Sequence, residues 1–204
     1  MLDRWTSRWV QPPLKNTAQI IAPYCTANQV TIAGFLLGML ALPLLAYEQY
    51  SSALVFILLN RCLDGLDGAL ARLSQQTDSG SFLDITLDFI FYAGIVFGFA
   101  LAQPDDNALY AALLLFSFMG TGASFLAFAV LAKKYQLTNP YFPHKSLFYL
   151  NGLTEGTETI LFFVLFCMFP KHFAMLAGIF AVLCFLTTIN RIVIGYLTLK
   201  RCEQ

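Results

Sequence analysis

Four aspartates carry most of the chemistry this sequence could perform. They lie in the segment R-C-L-D-G-L-D-G-A-L-A-R-L-S-Q-Q-T-D-S-G-S-F-L-D-I-T-L-D, which runs from Arg61 to Asp88. Asp64 and Asp67 are three residues apart and Asp84 and Asp88 four apart, so each pair occupies one face of a helix. Arg72 to Gly80 reads as a short polar turn, which makes the two helices antiparallel neighbours and turns both pairs towards a common cleft. Carboxylates crowded into one site either keep protons or bind cations. No histidine stands near, and Cys62 is displaced two positions from Asp64. An all-oxygen donor set of this kind suits Mg²⁺ or Mn²⁺ rather than zinc, and four aspartates suffice for two ions.

Small residues supply the second half of the pattern. Gly65, Gly68, Ala69 and Ala71 strip side-chain bulk from the end of the first aspartate helix, so a planar base and a diphosphate can approach its backbone. Gly80, between Ser79 and Ser81, adds a turn with amides suited to phosphate. Arg72 is the arginine read as offsetting the aspartates, and alone it cannot neutralise four of them.

The elements that hold these residues belong in a bilayer. Of the 204 residues 58% are hydrophobic and only 12% charged, with a mean hydropathy of +0.66, whereas a water-soluble domain carries roughly 25% charge. Six stretches approach the roughly 20 apolar residues a crossing needs: about 30 to 47, 51 to 72, 82 to 102, 109 to 132, 156 to 170 and 173 to 195. The expected fold is an all-α integral membrane protein of six transmembrane helices with an N-terminal interfacial amphipathic helix. Residues 1–204 form one domain, with 1–28 as the interfacial segment and 30–195 as the bundle. An unpaired aspartate at a helix centre costs about 3 kcal/mol and four about 12, a penalty that itself calls for bound cations.

Basic residues set the orientation, because Lys and Arg stay cytoplasmic. Arg4, Arg8, Lys15, Lys133, Lys134, Lys145, Lys200 and Arg201 all fall on one face of a six-crossing chain, opposite Glu48, Asp105, Asp106 and Lys171. That places both termini and the aspartate cleft on the cytoplasmic side. The positive groups line a membrane rim instead of forming a stripe, so membrane lipid is the expected partner and nucleic acid is not. Cys25, Cys62, Cys167, Cys184 and Cys202 have neither Cys-x-x-Cys pairing nor disulfide-framework spacing, and read as apolar fillers in a reducing setting. No cleavable signal sequence precedes the first apolar run. Trp5 and Trp9, with Leu14, Ala18 and Ile21 on one face, suggest a segment lying in the interface.

Taken together, Asp64-x-x-Asp67-Gly68-x-x-Ala71-Arg72, a gap over 73–79, and Gly80-x-x-x-Asp84-x-x-x-Asp88 resemble the complete signature of the CDP-alcohol phosphatidyltransferases. The segments N-R-C-L-D-G-L-D-G-A-L-A-R and G-L-T-E-G-T-E-T-I look most like short bacterial inner-membrane members. One departure is Ala27, where many relatives place proline before an asparagine, here Asn28. The resemblance implies that Asp64, Asp67, Asp84 and Asp88 hold two divalent ions and that Asp88 doubles as general base. It also implies that Gly68, Ala71, Arg72 and Gly80 line the CDP pocket. A phosphatidyl or related group would pass from a CDP-alcohol, with CDP-diacylglycerol the expected donor in phospholipid biosynthesis, to an alcohol acceptor with release of CMP. A homodimer is implied too.

A competing reading takes the aspartates as the relay of an ion- or proton-coupled transporter. Such a protein needs polar residues continuing to the opposite face, and F-I-F-Y-A-G-I-V-F-G-F-A after Asp88 offers few. Glu155 and Glu158, three apart at the start of the fifth stretch, are either solvated at the interface or contacts to the acceptor. Residues 109–132 contain no basic residue, unlike relatives with phosphorylated acceptors, which favours a neutral or amine-bearing alcohol. Arg191 and Lys145 are the remaining candidates for phosphate contacts. Gly120-Thr-Gly122-Ala-Ser124 reads as a small-residue face for another helix, with a dimer partner as one option. His144 is given no role.

Overall fold

A computed structural model describes residues 13–74, 76–135, 137 and 154–203, and every regular element among them is helical. Trp5, Trp9, Arg4, Arg8, His144 and Lys145 lie outside the described residues. Helix α1 covers 13–21. It is followed by α2 (Ala27–Met39), α3 (Ala41–Ala46), α4 (Tyr50–Leu73), α5 (Asp78–Ala102), α6 (Pro104–Lys134), α7 (Gly156–Met168) and α8 (Phe173–Cys202), with a 3₁₀ turn at Pro170–His172 before α8.

Local sequence explains the boundaries. Thr26 Oγ1 accepts from the Gln29 amide at 3.3 Å while Gln29 Oε1 accepts from the Thr26 amide at 3.0 Å, a reciprocal capping box that starts α2. Asn28 therefore lies inside the first turn, and Ala27 takes the first helical position, where a proline also fits. The break between α2 and α3 follows from Pro43, which has no N–H to return to Met39. Thr77 Oγ1 accepts from the Gly80 amide at 3.1 Å, so α5 begins at Asp78 and the polar turn ends at Thr77 rather than running to Gly80. Pro104 starts α6 with the single residue Gln103 between it and the end of α5.

Four segments are long and apolar enough to cross a bilayer: Ala27–Ala46, Asp78–Ala102, Pro104–Lys134 and Pro170–Cys202. The expected second span, α4, has 24 residues, about 36 Å of helix, but Arg61, Asp64, Asp67 and Arg72 make it too polar to qualify. The expected fifth, α7, has 13. The face of Leu14, Ala18 and Ile21 on α1 packs against Val30, Leu63, Leu66, Ala69 and Leu70. Protein thus covers Ala18 fully and Leu14 and Ile21 in part, on the apolar face expected to lie in the membrane interface.

The most extensive contacts join α6 to α8 and α2 to α4. On α2, Gly34 and Gly38 are four apart and let α4 approach closely. A Cβ on Gly38 would lie 2.8 Å from Asn60 Cβ and 2.9 Å from a Phe91 ring carbon. Gly38→Ala should therefore lower stability by about 1–3 kcal/mol, seen as a lower unfolding temperature in detergent. Gly178→Ala, whose Cβ meets Tyr110 no closer than 3.6 Å, should not. Beyond Asp88 the bundle is filled by aromatic rings: Phe99 stacks on Phe173 at 4.7 Å between centroids, Phe91 meets Phe163 edge-on at 6.5 Å, and Phe162 stacks on Phe180 at 4.3 Å.

Candidate active site

Helices α4 and α5 each pack against α2 and touch one another little, so they are not the direct antiparallel neighbours expected, and their aspartates meet at a cleft that α2 also lines. One carboxylate oxygen from each of Asp64, Asp84 and Asp88 lies within 4.8 Å of the others. The cleft they face is lined also by Thr31, Gly34 and Phe35 of α2, by Asn60 and Asp67 of α4 and by Leu87 of α5. Asp67 lines this cleft without joining the trio. It is only 6% exposed, and its Oδ2 has no hydrogen-bond donor. A buried carboxylate oxygen left without a donor costs more than the 1–3 kcal/mol of a neutral group. Asn60 Oδ1 is equally unpartnered, although its Nδ2 donates to the Gly34 carbonyl at 3.1 Å. An orphaned carboxylate oxygen beside three convergent ones, with oxygen donors throughout, fits a hard divalent cation.

The guanidinium among the aspartates is that of Arg61 and not, as expected, that of Arg72. Arg61 Nη2 pairs with Asp64, and Nη1 lies 3.7 Å from Asp88 Oδ1. Nη1 also donates to the Tyr92 hydroxyl at 2.9 Å, and that hydroxyl donates to Asp88 Oδ2 at 3.1 Å. Arg72 is exposed at the end of α4. The signal for both missed residues was helical spacing, since Arg61 precedes Asp64 by three and Tyr92 follows Asp88 by four.

The small residues of α4 divide between two duties. A Cβ on Gly65 would meet Leu14 Cδ1 at 2.8 Å, and Ala69 is buried in the same α1–α4 cluster. These two make room for α1 rather than for a ligand. Gly68 has only the Arg72 guanidinium near, 3.5 Å from where a Cβ would be, and Ala71 is partly exposed. Gly80 is small for a packing reason, because its Cβ would lie 2.9 Å from Asn28 Oδ1.

The start of α7 reaches the same network, with a Cβ on Gly156 lying 3.8 Å from the Tyr92 hydroxyl. Thr154 is tied to α8 through Thr187, amide to hydroxyl at 3.1 Å and hydroxyl to hydroxyl at 2.9 Å. Glu155 and Glu158 close a capping box in which the Glu155 amide donates to Glu158 Oε2 at 3.2 Å. Their acidity thus has a local cause that interface solvation did not supply. Glu158→Ala should cost about 1 kcal/mol through the lost cap, measurable as a lower unfolding temperature. Arg191 of α8 is buried and donates from Nη1 to the Thr121 carbonyl at 3.1 Å. A Cβ on Gly120 would lie 3.0 Å from Thr188 Oγ1, so this small-residue face admits α8 of the same chain.

Residues 24–190 match the family model described as CDP-alcohol phosphatidyltransferase. The chain is 56% identical to the inner membrane protein YnjF of Escherichia coli (strain K12) over the whole of both chains. It is 40% identical to the archaetidylinositol phosphate synthase of Pyrococcus horikoshii over 45% of this chain and 50% of that one. Over 33% of this chain and 17% of the other it is 41% identical to the bifunctional IPC transferase and DIPP synthase of Aquifex aeolicus.

Proposed function

The chain belongs to the CDP-alcohol phosphatidyltransferase family, and from that premise we propose that it transfers a phosphatidyl group from CDP-diacylglycerol to an alcohol, releasing CMP. The observation that carries this reading is the orphaned Oδ2 of Asp67 beside the convergent oxygens of Asp64, Asp84 and Asp88. Two divalent ions held by these four side chains would supply Lewis acidity at the donor diphosphate and offset charge on the departing CMP. Asp88 takes the proton of the attacking hydroxyl. That oxygen bonds to the phosphorus bearing diacylglycerol as the bond from phosphorus to CMP breaks. Tyr92 donates to Asp88 Oδ2, which orients the other oxygen for this task. Gly68 and Ala71 leave the α4 backbone open to the cytidine and diphosphate, Arg72 stands at the rim, and Gly80 lies in the first turn of α5. The first turn of α7, with Glu155 and Glu158, forms the acceptor wall. Its carboxylates suit a neutral or amine-bearing alcohol.

The arrangement of helix ends supports six crossings. The α2 start, the α4 end, the α5 start and the α7 start meet around one cleft, as they would in rods that alternate in direction. Both termini and the cleft would then face the cytoplasm of a bacterial inner membrane, and a homodimer is part of the same reading. A transporter finds less support. Among the described residues, the stacked rings of Phe99 and Phe173, with Phe166 edge-on to both, occupy the bundle beyond Asp88, where an ion would need polar groups.

The test is CMP release by purified protein given CDP-diacylglycerol, Mg²⁺ and an extract of bacterial small molecules, with new lipids identified by mass spectrometry. Release coupled to a new phospholipid supports the donor and names the acceptor. Folded protein that releases CMP only from CDP-linked headgroups would overturn the lipid donor, and release from neither would return the transporter to contention.

A further inference from the structure

We propose that Arg61 is a built-in counter-cation of the metal site, holding Asp64 and Asp88 together when ions are absent and turning the loaded site positive enough to grip a diphosphate. The inference rests on the reading of the four aspartates as metal ligands and goes beyond it in assigning a residue outside the aspartate–glycine pattern.

The geometry is that of a cation already seated among the carboxylates. The guanidinium touches Asp64 with one nitrogen and lies 3.7 Å from Asp88 Oδ1 with the other, while the Tyr92 hydroxyl fixes the second nitrogen at 2.9 Å. Asp64 and Asp88 both belong to the trio whose oxygens converge. An ion that takes Asp64 must therefore share or displace a contact that the guanidinium holds. Guanidinium stays protonated at every accessible pH, so the competition cannot be relieved by losing a proton. Tyr92, which also bonds Asp88, retains Nη1 when Nη2 lets go.

Charge counting gives the second half. Four carboxylates and one guanidinium leave three net negative charges, enough to hold two divalent ions. With two ions bound the balance becomes one net positive charge, the sign that attracts a diphosphate. Without Arg61 the empty site would carry four negative charges and the loaded site none. Removing Arg61 should thus move two affinities in opposite directions, tighter for metal and weaker for the diphosphate. A side chain that merely props the fold would weaken both when removed.

The experiment uses purified full-length protein in detergent. Mn²⁺ binding is followed by the electron paramagnetic resonance of the free ion, and CDP binding by calorimetry at saturating Mn²⁺. Arg61→Gln should bind Mn²⁺ about tenfold more tightly and CDP about tenfold more weakly, the scale of one charge-assisted pair. Arg61→Lys keeps the charge but cannot reach Tyr92 and both carboxylates together. It should move both constants the same ways by roughly threefold, and it serves if the Gln protein does not fold. Parallel loss of both affinities, or unchanged Mn²⁺ binding, overturns the counter-cation. Wild-type protein that binds no Mn²⁺, or Asp84→Asn that binds it like wild type, overturns the metal reading and the inference with it. The two failures are therefore distinguishable.

Discussion

Asp88→Asn is expected to lower CMP release at least about a thousandfold while the protein remains inserted and as stable as wild type. Asparagine has the same volume and still accepts from Tyr92 through its Oδ1, so the hydrogen bond that orients this position survives. What disappears is one negative charge and the ability to take a proton. Loss of a positioned general base costs about 10²–10⁴ in rate, and loss of a metal ligand adds to it. Stability should hold or rise, because one of several crowded carboxylates becomes neutral. Adding Mn²⁺ separates the two duties: a rate rescued by excess metal assigns Asp88 to ligation alone, and a rate that stays low with metal bound assigns the base. Asp84→Asn, which would remove a proposed metal ligand and leave the Tyr92–Asp88 bond in place, should recover in part under the same titration. Full activity in Asp88→Asn would remove the general-base assignment.

Much of this architecture was legible because a bilayer leaves few options. Apolar runs had to be helices, and the aspartates had to converge, since charge in such a setting needs partners. The readings that failed concern choices between neighbours of similar type. Arg61 and Arg72 both flank the aspartate pair, and distance along the helix was the only guide. Three residues to Asp64 is within one turn on the same face, whereas Arg72 emerges at the exposed end of α4. Gly65 and Gly68 likewise look alike in sequence, yet one receives Leu14 and the other lies open. Which glycine faces a helix and which lies open depends on α1, an element that carries no long-range signal of where it docks. Glu155 and Glu158 also follow the rule for helix starts, a local duty that their spacing of three already carried. Helix ends shifted for the same kind of reason, since Thr77 and Pro104 set the starts of α5 and α6 where hydropathy alone had placed them later.

Gly68→Leu is expected to cut CMP release by at least about a hundredfold while leaving the fold, the unfolding temperature and Mn²⁺ binding intact. The position can house a side chain, because the sole neighbour near an added Cβ is the movable Arg72 guanidinium at 3.5 Å. Replacing glycine in a helix interior also removes a conformational cost of roughly 0.5–1 kcal/mol, so stability should hold or rise slightly. Function is where the cost falls. Gly68 follows Asp64 by four residues and so shares its face, which puts a leucine side chain where the donor diphosphate and base would lie against the α4 backbone. Gly68→Ala, with one carbon added, should lose roughly tenfold on the same argument. Gly65→Ala is the informative contrast. Its Cβ would press on Leu14 at 2.8 Å, so any loss of activity there should come with a lower unfolding temperature. A Gly68→Leu protein that binds Mn²⁺ and keeps its activity would place the cytidine diphosphate on another face of the cleft, with the open stretch of α4 left to lipid or solvent.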